Sequence, residues 1–240
     1  MPNFLKNKSC LFFGAPDCSE TEQCINELHR LEVNSTIVYS EKRGQKLPLE
    51  AKNWKGNFIF SYHNYWLLPS SIIENASLLA LNFHPATPSF PGSGSYSWAI
   101  YEGVDKFGVT VHIMNEKFDN GKIIKVYKFS IDSDETLNSL IDKTKKFSVY
   151  VFKDFVNVLN QKTVVDIQKM KNEVSEPKWR GAAKTISDLD KMRKLDLDLS
   201  LDEYRRRIKA FHMDEFPVYI EKDGFRFIYR QPENRTSDYY

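Results

Sequence analysis

Cysteine is scarce in this sequence: Cys10, Cys18 and Cys24 are the only three in 240 residues. Their odd number and their gaps fit neither a disulfide scaffold nor a thiolate zinc motif, so reduced thiols are expected, with Cys10 a core residue of the first strand. Long apolar runs are missing, so no stretch approaches the roughly 20 residues of a membrane-spanning helix. Met1 to Lys8 is polar and lacks the apolar centre of a signal peptide. A cytoplasmic protein with no membrane partner is the expectation, which leaves the sequons at Asn34, Asn75 and Asn234 without meaning. Excess charge is missing too: a net +2 offers no concentrated basic face for nucleic acid. Repeats and low-complexity tracts are also lacking. Glycine is sparse where a dinucleotide site needs it, since Gly14 stands alone after the first strand and a nicotinamide cofactor is set aside.

What is present reads as an ordinary globular chain, 41% hydrophobic and 28% charged, long enough for one sizeable core with a smaller appendage. Cys10 to Phe13 reads as a strand, Ser19 to Leu31 as a helix and Ser35 to Tyr39 as a second strand, followed by a basic loop around Arg43. Asn57 to Tyr62 is a third strand, and a short helix follows Leu67-Leu68-Pro69. Leu78 to Leu81 is an apolar strand that runs into Asn82-x-His84, with a helix expected over Ser93 to Glu102 and stopped at Gly103. Val109 to Met114 and Lys122 to Phe129 are strands joined through Asp119-Asn120-Gly121. A long helix follows, with Asp132 or Ser133 as its cap and a stripe through Leu137, Leu140, Ile141, Val151, Phe152, Phe155 and Leu159. Residues 169–199 are charged and read as a surface connector. Ser200-x-x-Glu203 is a capping box for a helix to Ala210, and Asp223-Gly224 turns a hairpin. The fold class is α/β, Rossmann-like with a mostly parallel sheet over residues 1–165. Residues 166–240 form a small C-terminal α+β segment ending in a β-hairpin.

The chemistry concentrates at Asn82 and His84. An x between them puts both side chains on one face of an extended chain, and prolines at 85, 88 and 91 force the backbone out of the sheet just beyond. Open α/β sheets keep their ligand crevice at such a strand end. The string Asn82-x-His84-Pro85, Pro91-Gly92, Trp98-Ala99-Ile100-x-x-Gly103, Gly108-Val109-Thr110-x-His112-x-Met114 and Asp119-x-Gly121-x-Ile123-Ile124 resembles the formyltransferase family that uses 10-formyltetrahydrofolate. The resemblance implies Asn82, His84 and Asp119 as a catalytic trio. Asn82 would donate to the formyl oxygen, His84 would act as general base or, if protonated, as a second donor, and Asp119 would orient the imidazole. His112 is expected as a hydrogen-bonded core histidine. Ligand type alone would also allow a metal held by His84, His112 and Asp119, but the Asn partner and the lack of a short ligand pair argue for none.

The same resemblance puts the folate pterin in a slot between Trp66-Leu67-Leu68 and Met114 to Phe118, where core packing is the competing reading of each side chain. The tail, with Glu176-Pro177-Lys178-Trp179-Arg180, Lys209-Ala210-Phe211 and the hairpin, resembles that of sugar N-formyltransferases, whose acceptors are nucleotide-linked amino sugars. A dTDP-4-amino-4,6-dideoxyglucose acceptor is implied, with His63, Trp179, Arg180, Lys209 and Phe211 as candidate contacts and the hairpin as a homodimer contact. Hydrolysis of the formyl-folate, a ribonucleotide amine as acceptor, and a non-catalytic nucleotide-sugar binding protein are the rival readings.

Overall fold

The computed structural model describes residues 3–173 and 177–230. The sheet begins with β1 (Ser9–Gly14), whose chain returns through α1 (Ser19–Arg30) to β2 (Asn34–Tyr39). After α2 (Leu49–Asn53) come β3 (Gly56–Tyr62), α3 (Ser70–Ile73) and β4 (Ala76–His84). Next are α4 (Ser95–Glu102), β5 (Lys106–Ile113), β6 (Ile123–Ser130) and α5 (Leu137–Asn160). The remaining elements are α6 (Val164–Asn172), α7 (Ile186–Arg193), α8 (Leu201–Phe211), β7 (Tyr219–Lys222) and β8 (Phe225–Ile228). The six-stranded sheet has the order β2-β1-β3-β4-β5-β6, parallel from β2 to β4, with β5 and β6 added antiparallel. The strand order reverses beside β1, so the carboxyl ends of β1, β3 and β4 open onto one crevice.

Strand alternation divides the core. Cys10, Phe12, Phe58, Phe60, Leu79, Leu81, Phe83, Val109 and Val111 pack on the face covered by α1 and α5. Leu11, Phe13, Ile59 and Ala80 pack on the other face with Trp66, Leu68 and Ile72. Phe152 of α5 is the hub of the first face, its ring 4.8 to 6.0 Å from those of Phe12, Phe60, Tyr62 and Phe83. A third cluster joins Ala86, Phe90, Trp98 and Phe107 to Leu189, Leu195, Phe211 and Val218. The C-terminal residues therefore complete a core with the sheet side, and the 165/166 division expected from composition falls inside α6.

Three details differ from expectation. Thr136 caps α5, in a reciprocal box with Ser139, because Ile131 N–H is still bonded to Asp105 O and Asp132 opens a separate turn, its carbonyl accepting from Glu135 N–H, before the helix begins. The 169–199 connector contains α7, whose own box pairs Thr185 with Asp188 and whose Leu189 is buried. At α8 only half the box forms: Ser200 accepts from Glu203 N–H, while the Glu203 carboxylate is taken by Tyr101 and Arg207. The hairpin turn is as expected, with Asp223 and Gly224 both at positive φ, 51° and 82°.

Replacing Phe152 with Ala removes the hub of four aromatic contacts. It should cost about 3–5 kcal/mol in urea unfolding without shifting the fold's circular dichroism.

Candidate active site

Along β4 the side chains of Leu79, Leu81 and Phe83 face α5, so the alternate set, Ala80, Asn82 and His84, lies on the opposite face. Antiparallel pairing then sets His112 of β5 opposite Asn82, and Thr110 opposite His84. Thr110 Oγ1 donates to Ala86 O at 2.7 Å, tying down the chain as the prolines turn it away. The third carboxyl-end group arrives from the β5–β6 connection. Asp119 sits there with φ 40°, a conformation that acidic and amide residues tolerate better than most. Gly121 is required two residues later, because a Cβ there would overlap the Ile113 carbonyl oxygen and press on His112 Nδ1.

Asp119 gathers the group. Its Oδ2 accepts from Gly92 N–H at 2.8 Å and lies 3.2 Å from His84 Nδ1. Its Oδ1 accepts from Asn82 Nδ2–H at 3.4 Å and lies 3.5 Å from His112 Nε2. Asn82 Nδ2 also donates to His112 Nε2 at 3.1 Å, consistent with a His112 proton on Nδ1 facing Ile113 O at 3.0 Å. Both amide hydrogens of Asn82 are thus engaged, and the longer bond, to Asp119, is the one most easily given to an incoming oxyanion. His84 Nε2 faces Phe90 O at 3.0 Å, so both of its ring nitrogens look at oxygen. A neutral ring satisfies one of these acceptors and an imidazolium satisfies both.

The electrostatics set the resting state. Burial opposes ionisation of Asp119, but His84 and the Gly92 N–H outweigh it and hold the carboxyl at about 2. His84 is driven below its ordinary value because burial outweighs the attraction of Asp119. A carboxylate beside a neutral imidazole is the arrangement of a poised general base: the proton it accepts finds an oxygen on either side.

The trio opens onto a cavity of about 1010 Å³. Trp66, Leu67, Leu68, Met114 and Phe118 line one part of it, and His63 lines another. His63 has φ 52°, stacks on Tyr62 at 4.3 Å and is lowered to about 4, chiefly by burial and then by Lys145. Sequence reasoning missed Arg43, Lys145 and Lys184, which bring cations to the lining. Arg43 lay in a loop noted only as basic, and Lys145 follows the striped Ile141 by one helical turn. The structure does not bring Arg180, Lys209 and Phe211 to this cavity. Arg180 reaches Glu102, Lys209 Nζ meets Ser133 O, and Phe211 falls on the apolar stripe of α8 and is buried edge-on to Trp98. Trp179 lies against His84 and His112 rather than in the cavity lining. Among the described residues, no group of three or more His, Cys, Asp or Glu side chains is disposed to hold a metal ion, and no helix is long and apolar enough to cross a membrane.

The profile of the formyl transferase family matches residues 38–159, which spans β2 to α5 and all of the Asn82, His84 and Asp119 group. A methionyl-tRNA formyltransferase of Lachnospira eligens is 26% identical over 179 residues, 74% of this chain but 54% of that protein, so the match spans about half of its relative's length. A 4-N formyltransferase of Francisella tularensis superposes with a TM-score of 0.71 at 20% identity, over 92% of this chain and 96% of the other. An N-formyltransferase of Helicobacter canadensis, solved with folinic acid and dTDP-3-aminofucose, does so with a TM-score of 0.67 at 16% identity, over 91% and 85%.

Because the Asp119 carboxyl is depressed from 3.8 to about 2, its contribution to stability is complete above pH 4 and disappears as pH falls towards 2. Urea unfolding of wild type and Asp119→Asn should differ by on the order of 2 kcal/mol at pH 6–7, with the gap closing over that acid window.

Proposed function

The chain belongs to the formyl transferase family, and from that premise we propose that it moves a formyl group from 10-formyltetrahydrofolate to the amine of a nucleotide-linked amino sugar. The observation that carries this reading is the placement of Asn82, His84 and Asp119 at the wall of a single cavity that has an apolar slot and a cationic lining. The slot from Trp66 to Leu68 and from Met114 to Phe118 takes the pterin. The cations at Arg43, Lys145 and Lys184 suit a diphosphate, and His63 faces the acceptor side. The Helicobacter neighbour, holding a folate and a dTDP-amino sugar, supports this pairing of ligands. A dTDP-4-amino-4,6-dideoxyglucose acceptor, for surface-polysaccharide synthesis in the cytoplasm, is the finer form of the proposal. The Francisella 4-N enzyme is consistent with that position of the amine.

In this reaction the acceptor nitrogen attacks the formyl carbon and the carbonyl electrons move onto oxygen. Asn82 N–H stabilises that oxyanion as its long bond to Asp119 is released. His84 takes the ammonium proton and becomes an imidazolium flanked by Asp119 and Phe90 O. The bond from carbon to folate N10 then breaks, N10 takes the proton back from the His84 imidazolium, and the new amide leaves. No acyl-enzyme forms.

The deciding experiment is formyl transfer from 10-formyltetrahydrofolate to a panel: dTDP-4-amino-4,6-dideoxyglucose, its 3-amino and galacto relatives, glycinamide ribonucleotide and methionyl-tRNA. Turnover should favour a dTDP-amino sugar. Asn82→Ala should lower kcat about 10²–10³-fold and His84→Ala about 10²–10⁴-fold. Because the base must be neutral, a lowered His84 should place the acid limb of the rate profile below the ordinary imidazole range. Tetrahydrofolate release without any amine would instead favour hydrolysis. Folate binding without turnover would leave a binding protein.

Residues after 165 are proposed to close the acceptor side and to pair two copies of the chain. The β7–β8 hairpin exposes Phe225 (69%), Phe227 (58%) and Ile228 (53%), with Phe216 (54%) nearby. So much apolar surface on a two-stranded sheet suits a second hairpin packed against it. Sedimentation should show a dimer for the wild type and a monomer for Phe225→Ser/Phe227→Ser, and a wild-type monomer at micromolar concentration would refute the pairing.

A further inference from the structure

The extended segment around residues 177–185 is bonded to the loop that leaves β4. Arg180 N–H donates to Pro88 O at 2.9 Å, Lys184 N–H to Pro91 O at 2.9 Å, and Ser93 N–H to Lys184 O at 2.8 Å. That loop is the one whose Phe90 carbonyl faces His84 Nε2 and whose Gly92 N–H holds Asp119 Oδ2. The approach is close enough that a Cβ on Gly92 would overlap the Lys184 backbone. Trp179 begins the segment. Its Nε1–H donates to Gly121 O at 2.6 Å, anchoring the turn that carries Asp119. Its ring lies 5.0 Å from that of His112 at 90°, and 5.6 Å from that of His84 at 68°. The ring so placed lies outside the cavity lining.

We propose that Trp179 is a positioning residue for the proposed formyl transfer, fixing the Asp119 turn against His84 and shielding both imidazoles from water. This inference rests on the formyltransferase reading for its kinetic consequence, but not for its structural one. The mechanism has two parts that separate chemically. The indole N–H holds the Gly121 carbonyl and thereby the carboxylate two residues earlier. The ring excludes water from the imidazoles. The titratable groups facing His84 are Asp119, from the β5–β6 connection, and His112, from β5, with the Phe90 carbonyl as its remaining polar neighbour. When water reaches the ring, the burial that disfavours the imidazolium weakens, whereas the attraction of Asp119 persists. The imidazole therefore becomes more basic.

The test uses the full chain with ¹³C- and ¹⁵N-labelled histidine, His84's resonance being identified by its loss in His84→Gln. In Trp179→Leu, His84 should titrate at higher pH than in the wild type, and the acid limb of the rate profile should move up with it. The value of kcat should fall about 100-fold, as for a small misplacement of reacting groups, with KM for both substrates nearly unchanged. Trp179→Phe retains the ring edge but not the N–H, so it should titrate close to wild type while kcat falls part of the way. An unaltered His84 titration and unaltered kcat in a folded Trp179→Leu protein would overturn the proposal. Should that variant fail to fold, Trp179→Phe decides: a lower kcat at unchanged titration supports the assignment, and wild-type kcat overturns it. A wild-type protein that formylates no amine would defeat the functional reading, and the titration arm would still decide whether Trp179 shields the imidazole.

Discussion

The Asp119 carboxylate is the constraint on which the site depends. It is nearly buried, ionised, and surrounded by four groups from three parts of the chain: His84 and Asn82 from β4, His112 from β5, and the Gly92 amide from the loop between β4 and α4. A charge in such a place is tolerated only while donors face it, here Asn82 Nδ2–H, the Gly92 N–H and His84 Nδ1. This accounts for several local features. Asp119 accepts a positive φ, Gly121 gives up a side chain so that Ile113 O and His112 can close on the turn, and the prolines hold the Gly92 loop in one conformation.

The burial that makes the carboxylate costly also prepares His84. In water an imidazole next to a carboxylate would be more readily protonated and would spend more of its time charged. Here burial outweighs the neighbour, which favours the neutral ring that the proposed reaction needs in its base. The two flanking oxygens are then in place for the charge that the reaction creates. Binding strength is thus kept for the imidazolium rather than for the resting base, the condition under which an interaction accelerates chemistry.

The parts of this arrangement legible in the sequence were those that depend on short-range spacing. Asn82 and His84 share a face because strands alternate, and the prolines mark the strand's end. The hairpin followed from Asp223-Gly224 set between the runs Val218 to Ile220 and Phe225 to Tyr229. His112 was expected as a hydrogen-bonded core histidine and is one, but its exact place opposite Asn82 depends on the antiparallel register of β5 on β4, which spacing along the chain does not give. Residue type was likewise a poor guide in the tail. Phe211 and Trp179 were both candidate contacts for a nucleotide sugar; one packs in a core with Trp98, and the other lies edge-on to two imidazoles outside the cavity lining. An aromatic near a charged segment has the same appearance in either role, and only packing separates them. Lys145 escaped notice for the opposite reason, as a polar residue at the edge of an otherwise apolar stripe.

The trio and the acceptor side answer to different constraints. Formyl transfer needs one donor, one base and one carboxylate at fixed separations, and the sheet supplies these from neighbouring strands whatever amine is used. The side proposed for the acceptor, by contrast, is lined by Arg43 from the loop after β2, His63 after β3, Lys145 from α5 and Lys184 from the segment before α7. Those positions lie on loops and a helix face that can change without disturbing the pairing of β4 and β5. Under the proposed function, likeness in the first set carries the reaction class, whereas the second set would choose the amine. The backbone bonds between Pro88 to Ser93 and Arg180 to Lys184 are where the two sets meet. A change in the acceptor side transmitted through them would reach the Phe90 carbonyl and the Gly92 amide, and so the proton balance of His84 and Asp119.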